Sequence, residues 1–123
     1  MAVIGLDLGG TKLSGAIFDQ NGTILFKNSS PLNRKAGSEV GELIINLLDG
    51  LLSVSTEKGI EINSIGVCIP GIYWAKTGSV WAPNIKGWEN YPLLEELTSH
   101  LAGKNISVCI DSDRACYVLG EVW

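Results

Sequence analysis

The chain has 123 residues and a mass of 13.1 kDa, about one average domain, which excludes a multidomain enzyme carrying all of its own substrate sites unless the chain is cut from a longer one. It is 46% hydrophobic and 18% charged with a mean hydropathy of +0.23, which excludes a disordered chain and suffices for a core. Nine Lys and Arg against 13 Asp and Glu give a net charge of -4 and no basic run, so nucleic acid is a poor match. Val3 to Leu6 is an apolar run stopped by Asp7, and Gly9-Gly10 separates it from a second run over Leu13 to Phe18. Asn21-Gly22 then leads into Thr23 to Phe26, and since both turn residues tolerate positive φ, a type I′ hairpin is expected. Three antiparallel strands therefore open the fold.

From Val40 onward, Leu43, Ile44, Leu47, Leu48 and Leu51 fall at offsets 3, 4, 7, 8 and 11, the pattern of an amphipathic helix with Ser38 available as its cap. Interior Gly41 and Gly50 each cost about 1 kcal/mol relative to Ala, so packing on a sheet must stabilise that helix. Ile65 to Ile69 reads as a central strand stopped by Pro70-Gly71, and the crossover helix before it implies parallel, right-handed βαβ topology. Residues 72–91 carry Tyr73, Trp74, Trp81, Trp88 and Tyr91 around Thr77-Gly78, a small hairpin excursion from the main sheet. Pro92 opens a second helix with Leu93, Leu94, Leu97 and Leu101 on one face and Gly103 as its stop. Ile106 to Ile110 is the next strand. Ala115, Val118, Leu119, Val122 and Trp123 then follow helical spacing to the last residue without a stop signal, so the chain is expected to be a fragment cut inside its last helix.

Cys68, Cys109 and Cys116 have no metal-ligand spacing and read as buried, reduced thiols. There is no basic n-region or cleavage site at the start, and no apolar run approaches the roughly 18 residues that span a bilayer. A cytoplasmic protein with no membrane partner is expected.

Three segments carry chemistry. Asp7-Leu8-Gly9-Gly10-Thr11-Lys12 sets a carboxylate, two glycines, a hydroxyl and an ammonium in one turn. Glycines admit a phosphate close to backbone N–H groups, and a carboxylate orients hydrated Mg²⁺, although a plain hairpin with charges at its mouth explains these six residues equally well. Asp111-Ser112-Asp113-Arg114 lies at a strand's carboxyl end, where α/β sheets bind ligands and an Asp can accept a hydroxyl proton. By position alone Asp111 or Ser112 as an N-cap, with Asp113 as a first-turn acid, is the commoner role. In Ala82-Pro83-Asn84-Ile85-Lys86-Gly87-Trp88, the Asn84 amide offers the donor and acceptors that sugar hydroxyls need. Trp88 either stacks on a pyranose or is tucked into the core, and local sequence favours the core. His100, the one histidine, sits in the last turn of a helix and receives no catalytic role.

Taken together, these segments, with Ile65-Gly66-Val67-Cys68-Ile69-Pro70-Gly71 and the Leu119-Gly120-Glu121 that follows Asp113, resemble the amino-terminal domain of the ROK family of repressors, open reading frames and kinases. The resemblance covers essentially the whole chain. It implies an actin-like, ribonuclease H-like α/β fold, a mixed sheet of three antiparallel strands followed by parallel strands with crossover helices, here the N-terminal half of a two-domain architecture. It implies ATP and Mg²⁺ as cofactors, with Asp7, Gly9, Gly10, Thr11 and Lys12 as the phosphate and Mg²⁺ hairpin. Gly71, Asn84, Ser112 and Asp113 would contact a sugar, with Asp113 as general base for transfer of the γ-phosphoryl group to a sugar hydroxyl. Ser112 stands where the family usually has Asn, which leaves the sugar's identity open.

The resemblance further implies a homo-dimeric or tetrameric parent, a fragment inactive by itself, and no zinc on this piece. Because no helix-turn-helix stands before the strand at Val3, and a repressor would lack one only by truncation, a glucokinase-like or N-acetylhexosamine kinase-like enzyme is expected. The alternatives are the sugar-sensing domain of a ROK repressor and, against the Pro83-Asn84 to Trp88 segment, a chaperone-type ATPase.

Overall fold

The computed structural model describes residues 2–112. Strands β1 (Ala2–Leu8), β2 (Lys12–Phe18) and β3 (Ile24–Pro31) form an antiparallel meander. Helix α1 (Ser38–Glu57) leads to β4 (Ile62–Ile69), and a two-stranded hairpin, β5 (Ile72–Trp74) and β6 (Ser79–Trp81), follows. Helix α2 (Leu93–His100) then returns the chain to β7 (Ser107–Ser112). The main sheet has the order β3-β2-β1-β4-β7, with β1, β4 and β7 parallel, so the expected mixed sheet is present. The strands run further than their apolar cores, because sheet pairing continues through the polar residues Lys27 to Ser30 on the edge strand β3. Polar side chains and a terminal proline suit an edge that must not recruit another strand.

Two local expectations are corrected. The β2–β3 turn has positive φ at Gly22 but not at Asn21. Asp19 N–H donates to Thr23 O at 3.0 Å and Gly22 N–H to Asp19 O at 3.0 Å, the pattern of a three-residue loop closed by a glycine bulge. The Asp19 carboxylate accepts from the amides of Asn21 and Thr23, both at 2.9 Å, and this local acceptor favours the longer loop over a two-residue type I′ turn. At α1, Gly37 occupies the N-cap and Ser38 is already helical, with no side-chain cap bond.

Core residues Ile4, Leu6, Leu8, Leu13 and Ile17 of the meander meet Val40, Ile44, Leu47, Leu48 and Leu51 of α1, all buried. Full burial contributes about 1.5–3 kcal/mol per large aliphatic side chain, which outweighs the helix-propensity cost of Gly41 and Gly50. Gly41 has a packing reason of its own. The Tyr91 hydroxyl occupies the position that a Cβ would take, with the Glu96 carboxylate beside it, whereas nothing approaches Gly50.

Cys109 is exposed and free, and Cys68 is buried but disulfide-bonded, so neither matches the expected buried, reduced thiol. The final apolar stripe from Ala115, like Cys116, lies outside the described residues. Among the described residues, no helix is long and apolar enough to cross a membrane, and no group of His, Cys, Asp and Glu is arranged to hold a metal.

Candidate functional site

The parallel strands β1, β4 and β7 end side by side. Asp7 pairs with Cys68, which pairs with Asp111, and Ile69 pairs with Ser112. Asp7, Gly71 and Ser112 therefore stand at the carboxyl edge of one sheet, where α/β folds place their ligands. Asp113 lies outside the described residues. Asp111 and Ser112 are still strand, and the Asp111 carboxylate accepts the Ser112 N–H at 2.9 Å. Nearby on β5, the Tyr73 phenol is pushed above its ordinary range, first by burial and then by the charges of Cys109 and Asp111.

Between β1 and β2 the chain reverses in a tight turn in which Gly9 N–H donates to Lys12 O at 2.9 Å. Gly10 and Thr11 follow, both exposed, and neither backbone N–H donates a hydrogen bond among the described residues. The Thr11 carbonyl accepts from Leu32 N–H at 2.9 Å, so the loop from β3 to α1 hangs on the same turn.

The 82–88 segment also reaches this turn. Ala82, Ile85 and Trp88 are buried and anchor it, while Pro83, Asn84 and Lys86 point outward. Trp88 is completely buried, stacks on Tyr91 with ring centroids 4.1 Å apart, and donates its indole N–H to Gly37 O at 2.9 Å. It is core, and it is unavailable as a stacking platform for a sugar. Its hydrogen bond, together with Gly37 N–H to Lys86 O at 2.8 Å, ties the 82–88 segment to the start of α1. Gly37 and Gly87 meet backbone to backbone at this junction, where a Cβ on Gly87 would stand 3.1 Å from the Gly37 Cα. Gly71 serves the same segment from below, since the Trp81 carbonyl occupies the place its Cβ would take.

These ties bring Asn84 to the glycine turn. A Cβ on Gly10 would lie 2.9 Å from Asn84 Nδ2, so the amide sits directly over the position where two glycines bare the backbone. An open cleft of about 460 Å³ runs along this contact, lined by Gly10, Thr11, Asn84 and Lys86 and by Arg34 and Lys35 from the β3–α1 loop. Sequence reading placed the glycine turn and Asn84 in the site but missed Arg34, Lys35 and Lys86. The available signal was a cluster of cations between Pro31 and Gly37, in a loop too short to wander far from the turn.

Comparison with known proteins identifies the family and the fold. A family model described as ROK family matches residues 3–123. The chain belongs to the ROK family. The glucokinase of Thermotoga maritima is 33% identical over 124 residues, covering 100% of this chain and 37% of that protein. The N-acetyl-D-glucosamine kinase of Haemophilus influenzae is 29% identical over 119 residues, covering 97% of this chain and 37% of that protein. This ROK chain thus spans little more than a third of the length of these relatives. Among solved structures, the ROK hexokinase of Thermus thermophilus superposes with a TM-score of 0.82 at 29% identity, over 98% of this chain and 38% of that one. A ROK family transcriptional regulator, homologous to the E. coli MLC protein, shares the fold with a TM-score of 0.84 at 17% identity, over 98% of this chain and 30% of that one. The fold is accordingly the actin-like one, and kinases and regulators both use it.

Proposed function

We propose that this chain is the N-terminal domain of an ATP-dependent sugar kinase, in which the turn Asp7 to Lys12 takes the phosphate end of Mg-ATP and Asn84 holds the acceptor sugar. The observation that carries the reading is the seat of the Asn84 amide over Gly10, an arrangement that suits a sugar hydroxyl held beside a bound phosphate. The identity of the two kinase relatives supports it.

The residues present fit a triphosphate tail. Gly10 and Thr11 are exposed residues whose backbone N–H groups have no acceptor among the described residues, and Gly9 and Gly10 carry no side chain to keep a phosphate at a distance. Lys12 adds an exposed ammonium and makes no ion pair among the described residues. Asp7 would hold Mg²⁺ through its water shell. Bound Mg-ATP supplies the phosphoryl group, and the protein supplies position and electrostatics. Asn84 orients the sugar by donating to one hydroxyl and accepting from another, and Ser112 and the backbone at Gly71 complete that side. Asp113, the residue after β7, takes the proton of the attacking hydroxyl. Ser112 offers one hydroxyl in place of an amide, so the preferred sugar has a hydroxyl pattern or substituent that a shorter, single-group ligand tolerates.

The test is sugar-dependent ADP release by the full-length protein across glucose, fructose, mannose, allose and the N-acetylhexosamines, with Asp113→Asn as control. Turnover with one sugar, abolished in the control while the sugar still binds, is the expected result. Unchanged turnover in the control would remove Asp113 as the base. Silence across the panel, with a sugar still raising Tm, would place the protein among the sensors instead.

A further inference from the structure

The β3–α1 loop contains a turn that breaks a local rule. Lys35 N–H donates to Leu32 O at 2.9 Å, and the two central residues, Asn33 and Arg34, have φ of 50° and 60°. Positive φ at both central positions defines a type I′ turn, which selects asparagine or glycine first and glycine second. Asn33 satisfies the rule. Arg34 does not, because its Cβ crowds the following carbonyl in the left-handed region. Residues held in such backbone cluster where a site needs the side chain itself.

Arg34 stands in the cleft between the glycine turn and Asn84, together with half-buried Lys35 and exposed Lys86. Among the described residues none of the three cations makes an ion pair, and no carboxylate lines the cleft. Three uncompensated cations at one small opening, in a chain of net charge -4, form a local field opposite in sign to the molecule's own. Their backbone positions are secured by Leu32 N–H to Thr11 O at 2.9 Å and Gly37 N–H to Lys86 O at 2.8 Å.

We infer that this cleft is a phosphomonoester site on the acceptor side of the reaction centre, with Arg34 as its principal ligand and Lys35 and Lys86 as flanking charges. A guanidinium presents paired N–H donors that match two oxygens of a phosphate, which an ammonium cannot do. Asn84 in the same cleft would hold the hydroxyls of the sugar that carries the phosphate. The ligand class is therefore a sugar phosphate, and the site confers product retention or sensing of that ester. The choice of a sugar ester rests on the kinase reading above, whereas the anion site rests on the cations and the turn.

The experiment measures binding to the full-length protein and to its Arg34→Gly and Arg34→Lys variants. The probes are the 1- and 6-phosphates of glucose and N-acetylglucosamine, the parent sugars, ATP and tripolyphosphate. Glycine relaxes the left-handed backbone, so Arg34→Gly should raise Tm or leave it unchanged while weakening the best sugar phosphate at least tenfold and the parent sugar less than twofold. Arg34→Lys, which keeps the charge and the backbone strain but not the paired donors, should recover only part of that loss. Sugar phosphate affinity within twofold of wild type in Arg34→Gly would overturn the proposal. An equal or larger loss for ATP or tripolyphosphate would overturn the acceptor-side assignment and move the site to the donor. The kinase reading fails by a separate sign, the absence of sugar-dependent ADP release from the wild-type protein.

Discussion

Alanine at Gly10 and at Gly71 adds the same methyl group at two points of one site, and the two substitutions should have opposite consequences. At Gly10 the new Cβ lies 2.9 Å from Asn84 Nδ2, the end of a flexible exposed side chain that can swing aside. Stability should change by no more than about 0.5 kcal/mol, as at other surface positions. The displaced amide, however, loses its hold on a sugar hydroxyl, a net contribution of about 0.5–1.5 kcal/mol for a neutral hydrogen bond, or roughly a two- to tenfold rise in the sugar KM. At Gly71 the new Cβ collides with the Trp81 carbonyl, and the Ala82 Cα lies 3.1 Å away, so backbone must move. Overpacking of this kind costs about 1–3 kcal/mol, which lowers Tm by several degrees in a domain of this size. Thermal melts followed by circular dichroism, with sugar saturation curves on the full-length protein, separate the two. A Gly10→Ala variant that melts as early as Gly71→Ala, or that keeps wild-type sugar affinity, would refute the seat of Asn84 over the turn.

Two further outcomes follow from α1 and its neighbour Tyr91. Gly50→Ala, with nothing within 4 Å of the added carbon, should stabilise the protein by up to about 1 kcal/mol, whereas Gly41→Ala should destabilise it because the Tyr91 hydroxyl must be displaced; urea titration reads both signs. The Tyr91 phenol donates to Glu96 Oε1 at 2.5 Å, and its pKa is raised first by burial and then by that hydrogen bond and charge. Because the folded protein holds this proton more tightly than the unfolded chain, the contribution is complete below about pH 10 and declines as pH rises above it. Tyr91→Phe should therefore cost stability at neutral pH and lose that difference in the alkaline range, and a constant difference across both ranges would contradict the assigned environment.

Legibility differed by residue. Among the described residues, the apolar runs and turn signals located the five strands of the main sheet and both helices, and marked 72–91 only as a hairpin excursion, since period and punctuation are local properties. The ends were less legible: β3 extends to Pro31 through polar residues because β2 pairs with it, and no property of Lys27 to Ser30 alone announces that. The Asn-Gly turn was recognised, but its length was set by the Asp19 carboxylate two and four residues from the amides it accepts. Trp88 was read in favour of the core, and its burial with a hydrogen bond to Gly37, 51 residues away, agrees.

By itself the sequence determined the family, the order of the main-sheet strands and their helices, and the position of the glycine turn from Asp7 to Lys12, because each is written in short contiguous motifs. Only the tertiary structure decided that Asn84 lies over Gly10, that Gly71 makes room for the Trp81 carbonyl, and that Arg34, Lys35 and Lys86 share one cleft. Those contacts join segments far apart in the chain, and their geometry is set by where buried Ala82, Ile85 and Trp88 come to rest against the start of α1. A motif carries the chemistry of its own residues, but the distance between two motifs is fixed by the core packed between them.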